Sequence, residues 1–454
     1  MHVLFLSDNF PPETNAPASR LHEHARRWVA AGHRVTVVTC APNFPQGKVH
    51  AGFKNRWYQR SELDGIEVVR VKTFIVANKG FVLRTLDYLS FMVAGFVGGL
   101  FQRRPDLVVA TSPQFFAAVG GWALALARRV PFVFELRDLW PASLEAVGAL
   151  KGSWLLRAFE RLELFLYRRA AGIVCVTEAF KDDLVARGIA GHKISVITNG
   201  VDLDQYQPVT GESPLAREVG IEGKFVVGYV GTHGMAHALD AVLDAAAVLR
   251  ERDDVHFLFV GDGAARERLI EQASALQLTN VTLHPSLPKE RMPEVWSACD
   301  LALVHLRDTP LFATVIPSKI FEAMGMGLPI VIGCPAGEAT QIVERTRAGV
   351  VVSPEDPAQL ARAVAALADD RERVAELARA SLAAAPLFSR DHLAGEMLRA
   401  LTDCAQGVRV PRQPRLVPAP SLSPAPAPRA PLPGGVGQDA HVTTASEPEQ
   451  RRAA

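Results

Sequence analysis

The chain has 454 residues, 48% of them apolar and 21% charged, which describes a globular protein with room for two or three domains. A formal net charge of +1 excludes a nucleic-acid binder driven by bulk charge, yet residues 1–205 carry a balance of +7 and the remainder −6, so the amino-terminal half is basic. Five cysteines (Cys40, Cys175, Cys299, Cys334, Cys404) without CxxC spacing indicate neither a zinc site nor a disulfide framework and fit a reducing cytosol.

Met1 runs straight into a strand, with no signal peptide visible. HVLFLSD is a fully apolar run of strand length. The turn-rich NFPPETNAPAS follows, then a helix around Leu21 to Ala31 with Gly32 as its stop, then a second strand, RVTVVT. This is a β-α-β unit of Rossmann type, but the GxGxxG fingerprint is absent and Asn15-Ala16 stands where a glycine pair is expected, so a nicotinamide cofactor is not expected. Asp8 and Glu13 lie at the carboxyl end of the strand, where ligands of open α/β sheets gather and where acids also serve simply as turn formers.

Residues 81–101 and 115–127 are the most apolar segments. Arg84 and Asp87 interrupt the first and the second is short, so neither reads as a membrane span, which needs roughly 20 residues. They read as core helices, or as helices lying in a bilayer surface with Arg103, Arg104, Arg128 and Arg129 toward anionic lipid. Strands follow at DLVVATSP, PFVFELRD and AGIVCVTE. Arg137, Asp138 and Trp140 form the richest polar cluster of this half, as a structural ion pair or as groups acting on an acceptor hydroxyl. ISVITNGVDLDQYQP then supplies a strand, an Asn-Gly turn and a connector, and a domain boundary near Asp204 to Pro208.

The second half restarts the plan. FVVGYVG and VHFLFVGDG are strands that each lead into a helix, and VTLHPSLP, DLALVHL and PIVIG continue the alternation. Gly231, Gly234, Gly261 and Gly263 let backbone approach a ligand at strand ends, which makes this half the more complete nucleotide domain. In IPSKIFEAMGMGLPIV, Pro317 suits the first turn of a helix that Gly325 and Gly327 end. Ser318 and Lys319 at that tip read as a diphosphate seat, against the alternative of a solvent-directed lysine. Glu322, with apolar neighbours on both sides, reads as a half-buried acid in need of hydroxyl or cationic partners. FSRDHLAGEMLRALTDC offers a last amphipathic helix, and residues 408–454, with ten prolines, read as a disordered tail or a Pro-rich docking segment.

PSKIFEAMGMGLPIV, NGVDLDQYQP, YVGTHG, LFVGDG, NVTLHPSLPKERMPEVWSACDLALV and AGVVVSPEDPAQLARAV, in this order and spacing, resemble the retaining GT-B glycosyltransferases of family four, especially bacterial members that build O-antigen, capsule or exopolysaccharide, among them N-acetylfucosamine and colanic acid transferases. The resemblance covers residues 1–405. It implies an α/β protein with two Rossmann-like doubly wound domains facing a cleft: an acceptor domain over 1–205, a nucleotide-sugar domain over 206–385, and a crossover helix over 386–407 returning to the first domain.

By the same resemblance, Glu322 takes the second acid of the family's E-x7-E signature and grips the ribose hydroxyls, while the first acid falls on Thr314. The family's Arg and Lys after Gly231 are missing, with His233 and His237 near those places, so Lys319, Arg307 and the helix tip would compensate. The donor set is then Gly231, Thr232, His233, Arg307, Ser318, Lys319, Glu322 and, at the donor sugar, Glu338; Arg137 and Asp138 are the catalytic candidates, Arg137 standing where the family often has histidine. No metal is expected, since helix amides and a lysine suffice for a diphosphate leaving group, and Asp202-Leu203-Asp204 belongs to the NGVD linker.

The implied reaction moves a sugar, an N-acetylhexosamine or deoxyhexosamine, from a nucleoside-diphosphate donor (UDP first, GDP second) to a lipid-linked or saccharide acceptor. The implied setting is the cytoplasm, at the inner face of the membrane. A GT-B sugar-nucleotide epimerase and a non-catalytic nucleotide-sugar-binding subunit are the alternatives.

Overall fold

A computed structural model describes residues 1–408 apart from 14, 45, 77–80, 113–114, 139–153, 210 and 212, and of 81, 82 and 155 the backbone alone. Trp140 and the Pro-rich tail lie outside the described residues.

The apolar runs become strands covered on both faces, as parallel sheets require. The first sheet holds β1 (His2–Leu6), β2 (Arg34–Cys40), β3 (Tyr58–Leu63), β4 (Ile66–Val71), β5 (Leu107–Thr111), β6 (Phe132–Leu136), β7 (Gly172–Cys175) and β8 (Ile194–Val196) in the order β3-β4-β2-β1-β5-β6-β7-β8. All pair in parallel except β3, which forms a hairpin with β4. The sequence reading has no counterpart to this hairpin. Its signal is the two-residue Asp64-Gly65 turn, both residues at positive φ (50° and 75°), which matches the right-handed twist of the strands.

The second sheet holds β9 (Phe225–Val230), β10 (Val255–Val260), β11 (Val281–His284), β12 (Leu301–His305), β13 (Ile330–Gly333) and β14 (Gly349–Val352), all parallel, in the order β11-β10-β9-β12-β13-β14. In each sheet the chain reverses its direction of travel beside its first strand, between β1 and β5 and between β9 and β12. Such switch points open a crevice at the carboxyl ends of the strands, where ligands of doubly wound folds bind.

Helices α1 (Ala16–Ala30) and Arg390–Gln406 cover one face of the first sheet, and the buried Leu393, Met397 and Leu401 join Val3 and Trp28 in one core. Each such side chain contributes about 1.5–3 kcal/mol by leaving water. Polar contacts fix the docking: Trp28 Nε1 donates to the Ala394 carbonyl (2.9 Å) and Arg390 N to Val201 O (2.8 Å). The last helix thus starts from the second half of the chain and ends on the first sheet.

The opposite face is covered by α2 (Phe81–Leu100), α3 (Phe115–Arg128) and α4 (Trp154–Arg169), whose inner sides share a core with Leu4, Val38, Val108 and Phe134. The two most apolar segments are therefore half core and half surface: Phe91 and Leu124 are buried, whereas Val93 and Leu126 are exposed. Among the described residues, no helix is long and apolar enough to cross a membrane.

Candidate active site

The loops leaving β9 and β10 pack backbone on backbone. A Cβ on Gly261 would stand 1.8 Å from the carbonyl oxygen of Gly231, so only glycine fits there, and the contact folds the Gly231–His233 loop against the end of β10. Tyr229 donates its hydroxyl to the Thr232 carbonyl (2.8 Å), which directs the ring toward the helix that follows β12. Thr232 itself is exposed, and His233 is fully buried against Tyr229 and Phe259.

That helix spans Lys319–Gly325, two residues later than Pro317; Pro317 and Ser318 form a turn whose carbonyls accept from Ile320 N (3.2 Å) and Phe321 N (3.0 Å). The lysine is not solvent-directed. Its stem runs back into the domain, the side chain is buried, and Nζ lies 3.6 Å from the centroid of the Tyr229 ring. Nζ has no hydrogen-bond partner among the described residues, and neither has either ring nitrogen of His233. Burial lowers the Lys319 pKa to about 7 against the pull of Glu322. Burial first, then Arg266 and Lys319, lowers that of His233 to about 4.

Arg307 enters the same neighbourhood, its backbone N–H donating to the Ala236 carbonyl (2.9 Å) and its Nε buried without a partner among the described residues. The structure therefore brings Gly231, Thr232, His233, Arg307 and Lys319 together around Tyr229, while Ser318 stays exposed at the turn. Glu322, one turn further on, is half-buried and accepts from Trp296 Nε1 (3.2 Å), an indole partner that the sequence did not single out. Tyr229 was legible in FVVGYVG, as a hydroxyl-bearing ring beside the glycine of a buried strand.

A cavity of about 440 Å³ opens at the carboxyl ends of the first sheet, and Thr314, Val315 and Ile316 of the second half close its far wall. Thr314 donates its hydroxyl to the Leu311 carbonyl (2.8 Å). Arg137 and Asp138 line this cavity, with no ion pair between them among the described residues. Burial pulls the Arg137 guanidinium down to about 10. Asp138 stays open to water at the wall, yet the surrounding protein raises its pKa.

Asp8 and Glu13 also line the cavity. Burial pushes Asp8 up to about 8, opposed by the hydrogen bond from Asn9 Nδ2 (2.7 Å). Glu13 acts as a turn former through Oε1, which accepts from Asn43 N (2.7 Å) and Phe44 N (2.9 Å), while its buried Oε2 has no partner among the described residues. Sequence reasoning missed Arg84, Asp87 and Tyr88, which enter this cavity from α2. The signal was present, because a carboxylate inside an apolar helix must find an opening or a partner. Asp87 is raised to about 6 by burial.

Glu338 lies apart from the Tyr229 cluster. Its Oε2 accepts from Glu178 N (2.7 Å) at the start of the helix Glu178–Ala186, joining the second half of the chain to the first, and burial lifts its carboxyl to about 7. Asp202 binds Arg26 (2.7 Å) and its own turn through Asp204 N (3.1 Å), consistent with a linker role.

Solved structures with the same two-sheet plan include HepE from Anabaena in complex with UDP (21% identity, TM-score 0.67, 89% of this chain and all of that one) and the trehalose-6-phosphate synthase OtsA (12% identity, TM-score 0.67, 88% and 99%). Two doubly wound sheets with their strand ends turned to a shared cleft define the GT-B fold. The family described as Glycosyltransferase Family 4 matches residues 18–205 and that described as Glycosyl transferases group 1 matches residues 224–370, and the chain belongs to glycosyltransferase family 4. Relatives along most of its length are WcaI of Escherichia coli (strain K12), named as a colanic acid biosynthesis glycosyl transferase (26% identity, 78% of this chain and 88% of the relative), and a GDP-mannose-dependent alpha-mannosyltransferase of Mycobacterium tuberculosis (strain CDC 1551 / Oshkosh) (27% identity, 84% and 92%).

Proposed function

We propose that this glycosyltransferase moves a sugar, an N-acetylhexosamine or deoxyhexosamine, from a nucleoside-diphosphate donor to a hydroxyl of a lipid-linked or saccharide acceptor in surface polysaccharide synthesis, with retention of anomeric configuration. The observation that carries the reading is the buried Lys319 ammonium beside the imidazole of His233, both without a hydrogen-bond partner among the described residues. A desolvated cation is unfavourable by several kcal/mol unless an anion meets it, and the diphosphate of an activated sugar is such an anion. As the glycosidic bond breaks, negative charge grows on the leaving diphosphate, and fixed donors in a water-poor site stabilise it most where it grows. This task needs no metal ion.

Glu322 would hold the ribose from the same helix, and the cavity bounded by Arg137, Asp138, Asp8 and Asp87 would take the acceptor. UDP is favoured as the base-bearing half by the likeness to a protein solved with UDP, and GDP comes second by the likeness to a GDP-mannose-dependent enzyme. WcaI supports the polysaccharide setting. The reading includes a cytoplasmic protein held at the inner membrane surface.

The test is a thermal-shift panel of nucleotides and nucleotide-sugars, followed by a transfer assay with the donor that stabilises most. A rise in melting temperature with UDP or GDP species that disappears in Lys319→Met supports the reading. An unchanged shift in that variant defeats the role of Lys319.

A further inference from the structure

Helices α2, α3 and α4 lie side by side on one face of the first sheet, so their outer sides form one surface. That surface is apolar where water should favour polar groups. On α2, Leu86, Val93 and Val97 recur at helical spacing along a single stripe that Phe101 continues in the turn after the helix, with Val93 57% and Phe101 76% exposed; Leu126 on α3 (65%) and Trp154 on α4 (74%) extend it. Its charge is one-sided. Arg103, Arg104 and Arg129 at the ends of the first two helices and Arg157, Arg161 and Arg168 along the third are all exposed, and none has a carboxylate partner among the described residues. Between residues 81 and 169 the exposed carboxylates among the described residues are Asp138, inside the cavity, and Asp106, held by His2 N (2.6 Å); Glu160 of α4 is half-buried and leaves the arginines in excess.

We propose that the outer side of this three-helix layer docks on an anionic lipid surface. The stripe would enter the headgroup boundary while the arginines meet lipid phosphates. A second copy of the chain fits poorly, because a two-fold contact through this face sets arginines against arginines. The inner side of α2 explains why docking matters: Arg84, Asp87 and Tyr88 line the acceptor cavity from the same helix, so docking brings the cavity wall to the bilayer. This last consequence rests on the acceptor reading above; the docking deepens the membrane-surface part of that reading and is independent of the transfer chemistry.

The experiment is flotation of the full chain, without donor or acceptor, with phosphatidylcholine vesicles that contain or lack phosphatidylglycerol. Wild type should float with the anionic vesicles at low salt, at least ten-fold more strongly than with neutral ones, and detach in high salt. Arg157→Glu/Arg161→Glu should lose about ten-fold or more, since each arginine near a charged surface is worth about a factor of five. Val93→Glu/Val97→Glu should lose binding as well. Melting temperature and the nucleotide-induced thermal shift of both variants should match wild type, which separates failure of docking from failure of the transferase reading. Equal flotation with both vesicles, flotation with neither, or a wild-type dimer that these variants dissolve would overturn the proposal.

Discussion

The Lys319 ammonium stands 3.6 Å above the ring of Tyr229, and its Nζ has no hydrogen-bond partner among the described residues. A cation over a desolvated aromatic face gains about 2 kcal/mol, less than burial of the charge removes, which is why the amine is so easily deprotonated. The native fold thus leaves Lys319 either to lose its proton or, on the proposed reading, to meet a bound anion.

Replacing Lys319 by methionine removes the charge and keeps the volume. Loss of a donor aimed at the developing charge should lower kcat/KM about 10²–10³-fold. Melting temperature should stay level or rise, because an unpaired buried amine is replaced by an apolar side chain. Steady-state kinetics and a melting curve decide; wild-type kinetics would dismiss the contact as structural.

Proton uptake on donor binding follows from the pKa near 7. Above pH 7 the free protein holds Lys319 largely neutral, and a diphosphate restores the charge, so nucleotide binding should take up as much as one proton and weaken about ten-fold per pH unit. The stability sign is the reverse. The unfolded lysine, at 10.5, binds more protons than the folded one, so this group makes the ligand-free protein more stable as pH rises from about 7 to 10.5. Titration calorimetry at pH 8 in buffers of different protonation enthalpy measures the uptake, and Lys319→Met should abolish it.

Glu338 gives an ordered series. Glutamine keeps the oxygen that accepts from Glu178 N and removes a desolvated charge, whereas alanine leaves that amide unpaired. The folded carboxyl, near 7, titrates above its unfolded value of 4.5, so wild type loses stability as pH rises through that window. At pH 8, Glu338→Gln should melt highest, wild type next and Glu338→Ala lowest, the alanine lying about 1–3 kcal/mol below glutamine. At pH 5 the glutamine variant and wild type should converge. A pH-independent gap would sink this account.

Two glycines should respond oppositely to alanine. At Gly261 the new methyl collides with the Gly231 carbonyl, and either the strand-end loop or the β9–β10 pairing must move, so a loss of more than about 3 kcal/mol or insoluble protein is expected. At Gly395, within the helix Arg390–Gln406, nothing lies within 4 Å of the new Cβ, so alanine should stabilise by about 0.4–1 kcal/mol. Chemical denaturation of both variants checks the pair.

The amino-acid sequence by itself determined the alternation of buried strands and helices, since a strand covered on both faces is built mostly from apolar residues, as in Ile330–Gly333, and glycine readily takes the positive φ that lets the chain leave a helix, as at Gly327. It also determined that Glu322, flanked by Phe321 and Ala323, would be half-buried. Only the tertiary structure decided which way Lys319 points, that Trp296 is the partner of Glu322, that Glu338 reaches across to Glu178, and that Asp87 of an apolar helix faces a cavity. Periodicity is set by bonds and steric preferences between near neighbours. The partner of a side chain depends on strand order and on how two sheets meet, which distant segments settle jointly as they bury their apolar surfaces.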